Sequence, residues 1–239
     1  MEIKPRLVPL IAFFSLVFLL HELHDWAHAM AAGGLCHCWA PRSFDSWTLC
    51  PNCILEGRQR LLIWILGPMI NYIAIWAGWR LMNPENTLER RSTGFCLVFA
   101  ALPFMRILAA AMGGGDETSA LRQLLEPFSL THHRVLSLIG LLVVLAATLP
   151  SLIRAFLLLP GGRGKLLIFP VMLLLPGYVD HWVVQEGMNK LQDMGFLNHL
   201  VVTGLHLIVV VWGFFVLFLF ALSHKGLSHF LDYDEKLIL

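Results

Sequence analysis

The stretch that decides the fold is LVPLIAFFSLVFLLHELHDWAH, residues 7–28. Its first fourteen residues are mostly apolar, as in a membrane span, and its last eight include three histidines, one glutamate and one aspartate. Ionisable side chains at membrane depth cost roughly 2.5–3.5 kcal/mol each on insertion scales, so such a cluster is a functional hypothesis by default. The alternative is that these groups lie at the membrane interface and bond to water and lipid headgroups.

The composition of the whole chain is typical of integral membrane proteins. Of its 239 residues, 57% are hydrophobic and 14% are charged, and the mean hydropathy is +0.71. This length holds about six spans of roughly 20 residues each. We therefore predict an all-α integral membrane protein in contact with lipid. The formal net charge of +1 provides no basic field, so no nucleic-acid partner is expected.

The apolar runs predict about six transmembrane helices. They cover approximately residues 7–28, 61–79, 94–112, 135–159, 166 onward and 200–222. The fifth contains Pro170, Pro176 and Gly177 and then Asp180 and His181, which predicts a broken or half re-entrant segment.

The basic residues predict the orientation of these spans. Ten lie on the side of the termini: Lys4, Arg6, Arg80, Arg90, Arg91, Arg154, Arg163, Lys165, Lys225 and Lys236. Six lie opposite: Arg42, Arg58, Arg60, Arg122, Arg134 and Lys190. The positive-inside rule then places both termini in the cytoplasm.

The histidine spacing suggests a metal site. Positions four apart share one face of a helix, so His24 and His28 present two imidazoles to one point, as a metal pair requires. His21 lies on nearly the same face. Three consecutive glycines, Gly113 to Gly115, allow a tight turn just before Asp116.

Three motifs in successive spans resemble those of the site-2 protease family of intramembrane zinc metalloproteases. HDWAHAMAA resembles the HExxHxxxA signature, with Asp25 in the glutamate position. LGPMINYIA resembles the GPxxN motif through Gly67, Pro68 and Asn71. In AMGGGDETSAL, Asp116 resembles the aspartate that supplies the third zinc ligand, although the usual Asn-Pro-Asp-Gly context is missing.

The resemblance covers about residues 8–122. It implies a three-helix metalloprotease-like core within residues 1–122, followed by C-terminal transmembrane helices in residues 123–239. It also implies a multi-pass protein of a bacterial inner membrane. The partners expected are a membrane-protein substrate or a partner subunit.

The site implied by the resemblance is a catalytic zinc centre. His24, His28 and Asp116 would bind Zn²⁺ and leave a fourth position for water. Asp25 would act as general base, and Asn71 would donate a hydrogen bond to the substrate carbonyl. The expected reaction is hydrolysis of a peptide bond of a membrane-embedded substrate by metal-activated water.

Two alternatives stay open. Asp25 is one methylene shorter than glutamate, and proton transfer depends steeply on placement, so the chain could be a catalytically inactive protease-like subunit or scaffold. Glu117 is a substitute base, whereas Glu22 projects away from the ligand face. A haem or di-iron redox protein is the other alternative. Its ligands would come from the first histidine cluster together with five later histidines, His132, His133, His181, His199 and His206.

A cysteine-rich loop, at residues 33–60, separates the first two spans. Cys36 and Cys38 form a CxC motif, Cys50 and Cys53 form a CxxC motif, and eleven residues separate the two motifs. Four thiolates at such spacing could hold a second, structural Zn²⁺. On an oxidising face they would form two disulfides. The topology of the resembled family places the loop in the cytoplasm and favours zinc, whereas the charge count places it outside and favours disulfides. Because CxxC is a strong ligand spacing, we expect zinc or reduced thiols here.

Overall fold

The structure, a computed structural model, describes residues 7–44, 46–125, 132–159, 162–201 and 204–231. Within these ranges it has no β-strand, only isolated bridges between Arg42 and Leu205 and between Leu200 and His206. The prediction of an all-α chain is therefore confirmed. The helices are α1 Leu7–Cys36, α2 Gly57–Leu81, α3 Leu88–Ala100, α4 Pro103–Ala111, α5 Gly115–Leu125, α6 His133–Leu158, α7 Arg163–Asp180, α8 Asn189–Asp193 and α9 Leu207–Ser223.

Six helical segments are long and apolar enough to cross a membrane, as predicted for a multi-pass membrane protein. They are Leu7–Cys36, Gly57–Leu81, Leu88–Ala111, His133–Leu158, Lys165–Asp193 and Leu207–His229. The first continues eight residues beyond His28, so the histidine cluster lies inside a helix and not at its end. The sixth begins at Leu207, seven residues later than predicted.

The fifth span corrects the expectation of a broken or half re-entrant segment. Pro170 and Pro176 lie inside α7, which continues without a break into the π-helical segment His181–Met188 and then α8. Each proline removes one backbone donor, but transmembrane helices tolerate prolines, and this segment stays helical through both of them.

The third span bends where α3 meets α4. Leu102 adopts a left-handed backbone conformation with φ 53°, and Pro103 begins α4. Proline suits the first helical position because its missing N–H needs no partner there. The bend is followed directly by Arg106, which reaches the histidine cluster of α1.

The first three spans pack against one another, and α9 also packs on α1. A Cβ atom added to Gly78 in α2 would lie 2.6 Å from the carbonyl oxygen of Gly94 in α3, and the reverse holds for Gly94. These two glycines therefore allow close backbone contact, as small residues do between membrane helices. Phe13, Ile75 and Phe95 fill the apolar core between the three spans.

Candidate metal centre

Three potential ligand atoms from α1 and α5 converge at one point. Nε2 of His24 lies 3.2 Å from Nε2 of His28. Oδ2 of Asp116 lies 3.1 Å from the first nitrogen and 3.5 Å from the second. Ligands bound to tetrahedral zinc at about 2.0–2.1 Å lie roughly 3.3 Å apart, so the spacing fits this ion. Among the described residues, these three are the one group of three or more histidines, cysteines and acids close enough to share a metal.

His28 is oriented for ligation by three neighbours. Its Nδ1 lies 2.7 Å from the carbonyl oxygen of Ile63 in α2. A carbonyl can only accept, so Nδ1 carries the proton and the lone pair of Nε2 is directed at the site, as in many histidine metal ligands. The Trp47 ring stacks on His28 at 5.1 Å between centroids. A Cβ atom at Gly67 would overlap the imidazole of His28, so Gly67 provides the space this ring occupies.

Asp116 reaches the histidines because the chain turns sharply before α5. Gly113 and Gly115 have φ of +76° and +81°, which confirms the turn predicted from the three glycines. Burial raises the pKa of the Asp116 carboxyl, but hydrogen bonds with His24 and His28 and the charge of Arg106 outweigh burial and hold this pKa below its ordinary value. The carboxylate is therefore ionised at neutral pH, as a metal ligand requires.

The ligand atoms border a cavity of about 300 Å³, which Asp25 and Asn71 also line. Asn71 is 5% exposed, and its Oδ1 atom is buried without a hydrogen-bond partner among the described residues. Buried amide oxygens are normally paired, so the unpaired Oδ1 of Asn71 is suited to accept a hydrogen bond from a ligand in the cavity. The cavity lining thus includes five of the predicted site residues: His24, Asp25, His28, Asn71 and Asp116.

The two oxygens of Asp25 have different surroundings. Oδ2 lies 3.5 Å from Nη2 of Arg42 and 3.6 Å from Nε2 of His21. Oδ1 lies 4.0 Å from Nε2 of His24, one of the candidate ligand atoms. Asp180 in turn holds His21, with both carboxylate oxygens 2.8 Å from Nδ1. One oxygen of Asp25 is therefore held in place while the other points toward the site.

A cation that was not predicted, Arg106, occupies the approach to the ligands. Its Nη1 donates to Oδ2 of Asp116 at 2.7 Å. Its Nη2 lies 2.7 Å from Nδ1 and 2.9 Å from Nε2 of His24. Nη1 also lies 3.4 Å from Oε1 of Glu117. A metal ion at this position would require the guanidinium of Arg106 to move away. Glu117 is an anionic partner with which the displaced guanidinium could pair.

The cysteine loop corrects the expectation of a second zinc site. Cys36 is joined to Cys53 and Cys38 to Cys50, so all four sulfurs are held in disulfides. The physical reason is the fold of the loop, which brings the cysteines together as two pairs, one enclosing the other. This is the disulfide alternative that the spacing left open. Cys96 is a free, buried thiol in α3.

The disulfide loop also contributes to the site. Arg42 is 1% exposed and donates to Oε2 of Glu22 at 2.9 Å. Glu22 therefore pairs with the loop and does not line the cavity, in line with its predicted direction. Glu117 accepts a hydrogen bond from the Tyr72 hydroxyl at 2.7 Å and does not line the cavity, so it is less well placed than Asp25 to act as a base.

Some of the site residues that were not predicted have a recognisable signal in the sequence, and others have none. Arg106 and Asp180 are charged residues within apolar spans, and that property alone marks a functional candidate. No local pattern distinguishes Arg42 or Trp47, because their roles depend on where the loop folds. Of the histidines considered as redox ligands, His132, His133, His181, His199 and His206, none joins a metal-binding group in the described part of the chain.

Comparisons of the chain with protein-family models, with curated proteins and with solved structures find no match. The relation to the site-2 protease family therefore rests on the three motifs alone and stays a hypothesis.

Proposed function

We propose that this protein is an intramembrane zinc metalloprotease, related to site-2 proteases, that hydrolyses a peptide bond of a membrane-protein substrate. The observation that carries the proposal is the ligand triangle of His24, His28 and Asp116, whose sides of 3.1–3.5 Å fit tetrahedral zinc. Zinc held there would supply Lewis acidity and a water of lowered pKa. The bacterial inner membrane stays an expectation from the resemblance.

Two residues beside the triangle have the chemistry that peptide hydrolysis needs. Asp25 is the proposed base, because its Oδ1 faces the ligand atoms and Arg42 and His21 hold its other oxygen. A well-placed base contributes roughly 10²–10⁴-fold to the rate. Asn71 lines the cavity, and its Nδ2 group is proposed to donate a hydrogen bond to the substrate carbonyl, because an amide donor can stabilise a developing oxyanion. Its unpaired Oδ1 would accept a hydrogen bond from a peptide N–H.

The second candidate function is a non-cleaving scaffold, which one observation favours. The guanidinium of Arg106 contacts both His24 and Asp116 and so places a positive charge where a metal would bind. If that pairing is permanent, Arg106 substitutes for the ion and the cluster is a structural ion-pair network. Zinc affinity therefore separates the two functions before any substrate is known.

The test of hydrolysis uses purified protein in lipid nanodiscs with zinc and a panel of single-span membrane proteins. We expect cleavage, detected by mass spectrometry, that is abolished in Asp25→Asn and preserved or increased in Asp25→Glu. Asp193→Asn is the matched control, because Asp193 is exposed and does not line the cavity. Undiminished cleavage in Asp25→Asn would refute the role of Asp25, and Glu117 would be tested next.

A further inference from the structure

We propose that the metal site faces the oxidising side of the membrane and that its substrate is a peptide segment entering from that side. The entry would be the groove between the disulfide loop, α2 and α5. The part of this inference that concerns the substrate rests on the proposed function. The membrane side of the site is tested independently of hydrolysis.

The disulfides fix the side of the loop. Disulfides persist in oxidising compartments and are rare where cytosolic reductants reach them. Both disulfides lie in the loop between α1 and α2. Since the fifth span is one continuous helical segment, Lys165–Asp193, the described residues provide six candidate spans, and the basic residues divide as counted from the sequence. The positive-inside rule independently places the same loop opposite the cytoplasm.

The depth of the cluster along α1 agrees with this orientation. At a rise of 1.5 Å per residue, His24 lies about 26 Å and His28 about 32 Å from Leu7, where α1 begins. The hydrocarbon core is about 30 Å thick, so the ligands lie near its boundary on the loop side. Asp116 follows the end of the third span, at Ala111, by five residues on the same side. The site therefore lies close to the membrane surface on the oxidising side.

A groove of about 680 Å³ leads from this side to the ligands. Asp116 and Trp47 line both the groove and the cavity that contains the histidines. The remaining lining includes Trp64, Arg60 and Gln123. Indole faces accept apolar side chains, while arginine and glutamine donate hydrogen bonds to peptide carbonyls. A lipid chain has no acceptors for these donors, so the mixed lining favours an extended peptide.

The membrane side is tested by labelling introduced cysteines. A membrane-impermeant maleimide should label Ser46→Cys, at the groove, in sealed vesicles that expose the oxidising side. Glu85→Cys, on the exposed loop between α2 and α3, should react only after permeabilisation. The opposite pattern overturns the inference. Thr48→Cys serves as a second position, and peptide mapping confirms that the two native disulfides persist in each variant.

Access to the metal is tested with the zinc-loaded protein in the same vesicles. External EDTA, which does not cross membranes, should remove the zinc, whereas retention until permeabilisation would overturn the inference. A protein that binds no zinc refutes the proposed function, while the labelling still decides the side.

The substrate is tested with two single-span proteins that carry the same unstructured segment at opposite membrane boundaries. The segment on the oxidising side should be cleaved, and a cysteine in it should cross-link to Ser46→Cys in the Asp25→Asn background. Gln123→Trp should fill the groove and raise KM at least about tenfold without changing zinc content. Cleavage of the cytoplasmic segment alone overturns the inference. Cross-linking without cleavage supports the groove and refutes hydrolysis, and the absence of both overturns the peptide substrate.

Discussion

Gly67→Ala tests the geometry of the site with a single methyl group. In most helix interiors this change is favourable by about 1 kcal/mol, because glycine is the poorer helix former. At Gly67 the added Cβ would overlap the His28 ring, with Cε1 at 2.7 Å. The ring is enclosed by the stacked Trp47 and by its hydrogen bond to Ile63, so it must leave its ligating position.

The expected magnitude follows from these contacts. Overpacking costs about 1–3 kcal/mol. Loss of the hydrogen bond leaves a buried carbonyl of Ile63 and a buried imidazole unpaired, at a further cost of about 1–3 kcal/mol. After subtraction of the helix-propensity gain of about 1 kcal/mol, we expect a net destabilisation of about 1–5 kcal/mol. Zinc affinity should fall at least about 100-fold, the upper end of the effect of disturbing a ligand's orientation.

The assay compares Gly67→Ala with Gly213→Ala, a glycine-to-alanine change in α9 where no atom lies within 4 Å of the added Cβ. Thermal unfolding and zinc content are measured in nanodiscs for both variants. Gly213→Ala should keep its zinc and be as stable as the wild type or slightly more so. If Gly67→Ala behaves like this control, His28 does not occupy the described position and the reasoning is refuted.

Three further variants test other parts of the site. Arg106→Gln should raise zinc affinity at least about tenfold in calorimetric titration, because a charge-assisted bond worth about 1.5–3 kcal/mol no longer competes for the ligands; a weaker affinity would contradict the competition. Arg42→Gln should destabilise the protein by about 3–5 kcal/mol through the unpaired acids left behind, and the exposed Arg58→Gln should change stability by less than about 0.5 kcal/mol. Replacing Cys50 and Cys53 together breaks both disulfides and should speed hydrogen exchange in the loop while zinc stays bound; zinc loss without a looser loop would disprove this separation.

The parts of the fold that were predictable depend on local pattern. Apolar runs predict spans because each must match the thickness of the membrane, and the HxxxH spacing predicts a shared face because helical geometry is fixed. The glycines before Asp116 predicted a turn for the same local reason. The ends of the helices were predicted less accurately. The first span was expected to end near His28, but α1 continues to Cys36 because the residues beyond His28 are still compatible with a helix.

The remaining features depend on tertiary structure. The same four cysteines suit zinc or disulfides, and only the path of the loop decides which sulfurs meet. Arg42 is buried and pairs with Glu22. Spacing along the chain could not identify this glutamate as the partner of Arg42. Arg106 could have been recognised as a charge in an apolar span, but its contact with His24 depends on the bend at Leu102.

Zinc stoichiometry is the most direct test of the account. The purified wild-type protein should contain at least one zinc per chain, and this zinc should be lost sharply in His24→Ala and in Asp116→Ala. His199→Ala, an exposed histidine outside the site, should retain it. Unchanged zinc content in both ligand variants, with the proteins still folded, or a wild type that binds no zinc, would contradict the central claim.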